Sequence, residues 1–219
     1  MENTLVIDYY SDILCVWAWI AQRRIEELNS DLPGRIELRH HYMDIFGDVP
    51  TKMASNWGER GGYSAFAEHV RHSAENFESA PVNRGVWIDV KPLTSGNAHL
   101  VLKAIELQHG RGESVDMALK FREAFFVDAL DVGSMPVLEG LVEGNGLDRQ
   151  EVGESIRDGT AMAALMHDYQ ASKQQGLRGS PSYVLDGGRQ ILYGNVGYRI
   201  LSANIEELIN NPSGGASWC

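Results

Sequence analysis

Strand-like segments occur only near the two ends of this chain, so any sheet must be assembled from stretches well over a hundred residues apart. At one end, residues 4–10 (TLVIDYY) concentrate β-branched and aromatic side chains and read as a buried strand. The period then changes. From Val16 onward the apolar or small positions Trp17, Ile20, Ala21, Ile25 and Leu28 fall at near-helical spacing, with Arg23, Arg24, Glu26 and Glu27 between them, the pattern of an amphipathic helix. Leu32-Pro33-Gly34 ends it. Residues 35–43 then alternate Ile36, Leu38 and His40 with Glu37, Arg39 and His41, as a second strand does. Two strands joined by a helix are expected to pair in parallel through a right-handed crossover.

Helical patterns dominate residues 49–176. Helices are expected over 64–77, 97–108, 114–126, 135–143 and 159–174, with Ser134 and Asp148 as N-caps, while 84–93 fits neither period. Gly176 and Gly179 close this region. Short strands return at 182–185 and 190–193 around the turn Asp186-Gly187-Gly188, and a last helix at 198–209 is stopped by Asn210-Asn211-Pro212. The expected organisation is therefore a mixed α/β domain from residues 1–48 and 177–212, a helical insertion over 49–176, and a flexible tail at 213–219.

Composition narrows the function classes. At 219 residues and 43% hydrophobic content the chain can bury one large core or two modest ones. A net charge of -11 argues against a phosphate-tracking surface, so nucleic acid is not an expected partner. There is no apolar run of about 18 residues, and MENTLVIDYY lacks the features of a secretory leader, so a cytoplasmic protein without a membrane segment is expected. Two cysteines, Cys15 and Cys219, cannot build a disulfide framework. Cys219 reaches Cys15 only if the tail folds back; a free terminal thiol is the expected state.

Cys15 opens the first helix. There it faces unpaired backbone N–H groups and the positive end of the helix dipole, which favour thiolate and are expected to lower its pKa. Cysteine is also among the most buried residue types, so an inert thiol packed under the helix is the competing reading. His40 and His41 point to opposite faces of a strand and cannot chelate one ion together, and His69 and His72 have no accompanying acidic or thiol ligands, so no metal is expected. Trp17, Trp19, Trp57 and Trp87 are candidates for lining an apolar cleft or filling the core. Gly58, Gly61 and Gly62, around Arg60, read as a loop without a phosphate-binding fingerprint.

The order β-α-β, helical insertion, β-β-α resembles the thioredoxin fold, in the branch that includes DsbA-type disulfide oxidoreductases, kappa-class glutathione transferases and 2-hydroxychromene-2-carboxylate isomerases. The resemblance rests on Asp12-x-x-Cys15-x-Trp17-Ala18-Trp19, on Asn97-Ala98-His99, and on Gly176-x-x-Gly179-Ser180-Pro181-Ser182. It implies a catalytic Cys15 facing a cis Ser180–Pro181 bond, with Trp17, Ser180, Pro181, Ser182, Asn195 and His99 around the substrate; Asn195 is alternatively a cap for the last helix. DsbA-type proteins carry C-x-x-C at this place, whereas this chain reads Cys15-Val16-Trp17-Ala18, so the resolving thiol is missing. The kappa and isomerase branch carries D-x-x-S-P-Y, and here Cys15 replaces the serine and Val16 the proline.

Three functions follow from the resemblance. The first is a thiol oxidoreductase in which Cys15 alone forms mixed disulfides with a thiol or disulfide substrate, small molecule or protein. The second is a glutathione-dependent transferase or isomerase in which Cys15 orients the glutathione sulfur, although residues 44–57 do not match the expected glutathione loop well. The third is a non-catalytic peptide-binding module. No bound cofactor is expected; glutathione enters, where used, as a co-substrate. The oligomeric state is open between a monomer and a homodimer.

Overall fold

The computed structural model describes residues 4–212. Strand β1 (Leu5–Ser11) leads into α1 (Val16–Asp31) and β2 (Ile36–Tyr42). Seven helices follow: α2 (Val49–Trp57), α3 (Gly62–Ala74), α4 (Gly96–His109), α5 (Arg111–Phe126), α6 (Met135–Gly144), α7 (Arg149–Arg157) and α8 (Thr160–Gln174). The chain returns through β3 (Ser182–Leu185), β4 (Gln190–Tyr193) and α9 (Tyr198–Asn210). The sheet order is β2-β1-β3-β4, with β1 and β2 parallel and the other pairs antiparallel. This is the expected thioredoxin-type arrangement around a helical insertion. Among the described residues no helix is long and apolar enough to cross a membrane.

The sequence reading gave no span for α2 or α7, although it expected the Asp148 cap that opens α7. Both are short, and both start at an aspartate whose side chain accepts a backbone N–H: Asp48 from Thr51 and Asp148 from Gln150. Ser134 precedes α6 but makes no capping bond with its side chain. The Gly58–Arg60 stretch is a single 3-10 turn, and Gly61, at φ 103, sets the entry into α3. The 84–93 segment, which fitted no period, is a turn closed by one bridge between Val86 and Val90, with Trp87 wholly enclosed at its apex. The tail and Cys219 lie outside the described residues.

Helix α1 joins the two cores. Its first turns place Val16, Ala18, Trp19 and Ile20 in the apolar cluster of the helical insertion, beside Phe66, Phe121 and Phe126. Its later turns place Ile25 and Leu28 against Leu5, Ile7 and Tyr9 of β1 and Leu201 and Ile205 of α9, which cover one face of the sheet. On the other face Tyr10, Met43, Leu177 and Val184 pack with Ala171 of α8. The N-terminus of α1, and Cys15 with it, is thus held where the sheet meets the insertion.

A polar clasp closes the same seam. His41 of β2 bonds Asp8 of β1 through Nε2 at 2.9 Å and Asp168 of α8 through Nδ1 at 3.0 Å, while Lys103 of α4 lies 3.3 Å from the other Asp168 oxygen. Burial opposes the imidazolium, but the two carboxylates outweigh it and hold His41 up to about 9. A folded-state value above the unfolded one stabilises the protein in full below about 6.5 and loses that contribution as pH rises through about 9. Urea unfolding of wild type and His41→Gln should therefore differ by on the order of 1–3 kcal/mol at pH 6, with the gap narrowing toward pH 9.5. A gap that widens with pH would contradict this assignment.

Candidate active site

The turn between β1 and α1 is built around Asp12, which is fully enclosed. Its Oδ1 accepts the Leu14 N–H at 2.9 Å, and its Oδ2 accepts the Phe46 N–H and the Ser95 hydroxyl, each at 2.8 Å. Its own N–H donates to Ser180 Oγ at 2.9 Å, and its carbonyl accepts the Cys15 N–H at 3.1 Å. One residue thus joins the cysteine turn, the segment after β2, the start of α4 and the turn before β3. Burial raises the Asp12 carboxyl to about 6, against the pull of its three donors and of Arg122.

Cys15 is the N-cap residue of α1, with its carbonyl accepting from Ala18 and Trp19. Its thiol donates to the Ser180 carbonyl oxygen at 3.1 Å, and the Ser180–Pro181 peptide is cis, as the resemblance implied. The side chain is only 6% exposed. Burial pushes the thiol above its ordinary value; the Ser180 side chain and the amides of Ala18 and Trp17 oppose the rise, and Asp12 adds to it. The expected lowering is therefore corrected. The helix amides do favour the anion, but the loss of water around an enclosed sulfur outweighs them.

The other candidates divide. Ser180 and Pro181 are buried beside the thiol, and Ser182 is enclosed with its hydroxyl donating to the Gly179 carbonyl, which fixes this turn. Trp17 is half-buried against the insertion core. Asn195 is exposed and is not a cap, since α9 is entered from Gly197; its neighbour Gly194 donates to the Pro181 carbonyl at 2.7 Å, which keeps Asn195 near the same turn. Trp19 and Trp87 are core residues, Trp19 stacking on Phe126 and donating to the Pro81 carbonyl. Among the described residues no group of His, Cys, Asp and Glu could hold a metal ion.

His99 is bonded through both ring nitrogens to groups other than the sulfur. It is 0% exposed, stacks on Tyr42 and accepts the Ile13 N–H at Nε2, 3.1 Å away. The proton therefore sits on Nδ1, which donates to Tyr169 Oη at 2.8 Å. Burial, reinforced by Arg122, holds His99 down to about 3, so it is neutral. Its place is behind the cysteine turn, where it satisfies a buried amide. Tyr169 also lines a cleft of about 710 Å³ with Ile45, Thr51, Lys52, Thr94 and Met166, so that cleft shares a wall with the turn's support.

Asp12, Ser95, Tyr169 and Arg122 were not identified as site residues from sequence. Asp12 stood in the motif without a role, and Arg122 interrupts the apolar stripe of Ala118, Phe121 and Phe125 on α5, a signal that was legible. Replacing Tyr169 with Phe leaves the His99 Nδ1–H buried without an acceptor. Chemical denaturation should show a loss of about 1–3 kcal/mol; a neutral variant would remove the Tyr169–His99 bond from the site's support.

A family model for the DSBA-like thioredoxin domain matches residues 6–206. No curated protein matches by sequence. Among solved structures, a Nitrosomonas europaea protein named as a candidate disulfide isomerase is similar at a TM-score of 0.77 and 16% identity, over 95% of this chain and 99% of that one. The cytosolic disulfide reductase DsbM of Pseudomonas aeruginosa is similar at 0.67 and 17%, over 92% and 98%, and has also been solved with glutathione. A 2-hydroxychromene-2-carboxylate isomerase is similar at 0.67 and 17%, over 97% and 100%. At these identities the likeness is one of fold.

Proposed function

The chain belongs to the DSBA-like thioredoxin family, and from that premise we propose that it is a monothiol oxidoreductase: Cys15 exchanges with a disulfide, and glutathione or another thiol completes the turnover. The observation that supports this reading is the placement of the sulfur at the start of α1 against the Ser180 carbonyl, with Ala18 where a second cysteine would stand. The Cys15 thiolate attacks a disulfide RS–SR′, whose S–S bond breaks as Cys15–S–S–R forms and R′S⁻ leaves to take up a proton. Ala18 offers no resolving thiol, so an external thiolate attacks the R sulfur, releasing Cys15 as thiolate and R joined to the incoming thiol. With glutathione the sum is RS–SR′ + GSH → RS–SG + R′SH. A glutathione-rich, reducing compartment suits this cycle, and with it a cytoplasmic location.

Glutathione is brought in by the missing second cysteine and by the similarity to DsbM, itself solved with glutathione. Burial adds a requirement. The resting thiol is protonated and tied to Ser180, so substrate must loosen that contact before the nucleophile forms.

The same protonated thiol supports a second reading. A buried S–H that already donates can donate to the thiolate of bound glutathione, the task a serine performs in the transferase and isomerase branch.

Intact-mass spectrometry after treatment with oxidised glutathione separates these. The oxidoreductase takes up one glutathione on Cys15, loses it to reduced glutathione, and is inactive as Cys15→Ser, while Cys219→Ser behaves as wild type. A Cys15→Ser protein that keeps glutathione-dependent turnover overturns the first reading in favour of the second. A Cys15 that is never capped, with no activity in either form, leaves only the binding module.

A further inference from the structure

Helices α6 and α7 are short, pack against α4, and leave a space between all three. Val101 of α4, Met135 and Val142 of α6, and Val152 and Ile156 of α7 wall a cavity of about 160 Å³, with Glu139, Arg149 and Arg157 exposed at its rim. Three of the five walls are valine, a short side chain held in one rotamer on a helix, which cannot swing inward to close the space. No residue of the cysteine turn or of the Ser180–Pro181 turn lines this cavity.

The two cations of the rim are not equivalent. Arg149 faces the carboxylates of its own neighbours, with Nε 3.0 Å from Glu143 and Nη1 3.9 Å from Glu139. Arg157 has no carboxylate partner among the described residues; its Nη2 donates to the Gln150 carbonyl at 3.2 Å. Glycine is a poor helix residue, yet Gly153 stands in the middle of α7. A Cβ added there would lie 2.7 Å from Arg157 Nη1, closer than such atoms approach. The glycine thus makes the seat in which the guanidinium lies back along the helix at the cavity rim.

We propose that this cavity is a binding site for a small apolar monocarboxylate, whose compact hydrocarbon body enters among the valines while its carboxylate meets the Arg157 guanidinium. The volume sets the size of the body: an apolar cavity of about 150 Å³ accommodates one benzene, so about six carbons fit. Pockets for larger ligands run to about 300–1,000 Å³, which excludes glutathione and the peptide substrates of Cys15 from this site. The walls set its polarity, because valine, isoleucine and methionine offer a buried polar group no partner. The rim sets its charge. A planar guanidinium matches a carboxylate with two parallel hydrogen bonds, and Glu139 on the same rim disfavours a second negative group on the ligand.

The site stands whatever the chemistry of Cys15. Methyl-resolved NMR of the full chain, titrated with benzoate, tests it. The methyl signals of Val101, Met135, Val142, Val152 and Ile156 should shift saturably, and benzyl alcohol, which has the same ring without the charge, should bind about tenfold more weakly. Arg157→Gln should weaken benzoate about tenfold and leave benzyl alcohol unchanged. Gly153→Ala puts a better helix former into α7 while displacing the guanidinium from its seat, so it should weaken benzoate in the same way without loss of fold, and it serves alone if Arg157→Gln does not fold. The absence of saturable shifts at these methyls by about 10 mM benzoate overturns the proposal. So does equal affinity for benzyl alcohol, or benzoate binding that is undiminished in the folded variants.

Discussion

Four segments of the chain meet at one buried aspartate, whose carboxylate accepts donors from three of them and whose amide donates to the fourth. Asp12 takes the amides of Leu14 and Phe46 and the hydroxyl of Ser95, and offers its own amide to Ser180. A buried carboxylate is expensive unless it is this fully satisfied. The return on that cost is geometric. Without the Asp12 contacts, the cysteine turn keeps the Ile13–His99 bond to α4 and the thiol bond to the Ser180 carbonyl but loses its ties to Phe46, Ser95 and the Ser180 hydroxyl.

Helix α1 carries the same constraint outward. Its first turns belong to the insertion core and its last turns to the sheet core, so Cys15 sits at the seam between them, with water excluded on both sides. Exclusion of water decides the chemistry. The helix amides that would make an exposed cysteine acidic are overruled by desolvation, and the resting sulfur is a hydrogen-bond donor rather than a nucleophile. Reactivity in such a site has to be gained when a substrate arrives.

Much of the fold was legible because period reports local structure. The alternation in β2, the helical spacing in α1 and the glycines after α8 placed the sheet and the insertion correctly, and the missing second cysteine was visible as Ala18. Helices α2 and α7 escaped because nine residues show barely two turns of any pattern. The site was legible only at its surface. Cys15, Ser180 and Pro181 follow from a motif, but the ionisation of Cys15 depends on how much water the packing of the helical insertion removes, and nothing local to residues 11–19 encodes that. His99 shows the same limit: its place in a motif suggested contact with substrate, and packing turned it into a support for the Ile13 amide.

The central claim is that Cys15 rests as a protonated thiol bonded to the Ser180 carbonyl. Raman spectroscopy of the S–H stretch in the Cys219→Ser protein observes that bond directly. The band should sit at the lowered frequency of a hydrogen-bonded thiol and persist unchanged from pH 7 to pH 8.5; its loss by pH 7, or a frequency matching free cysteine, would contradict the account.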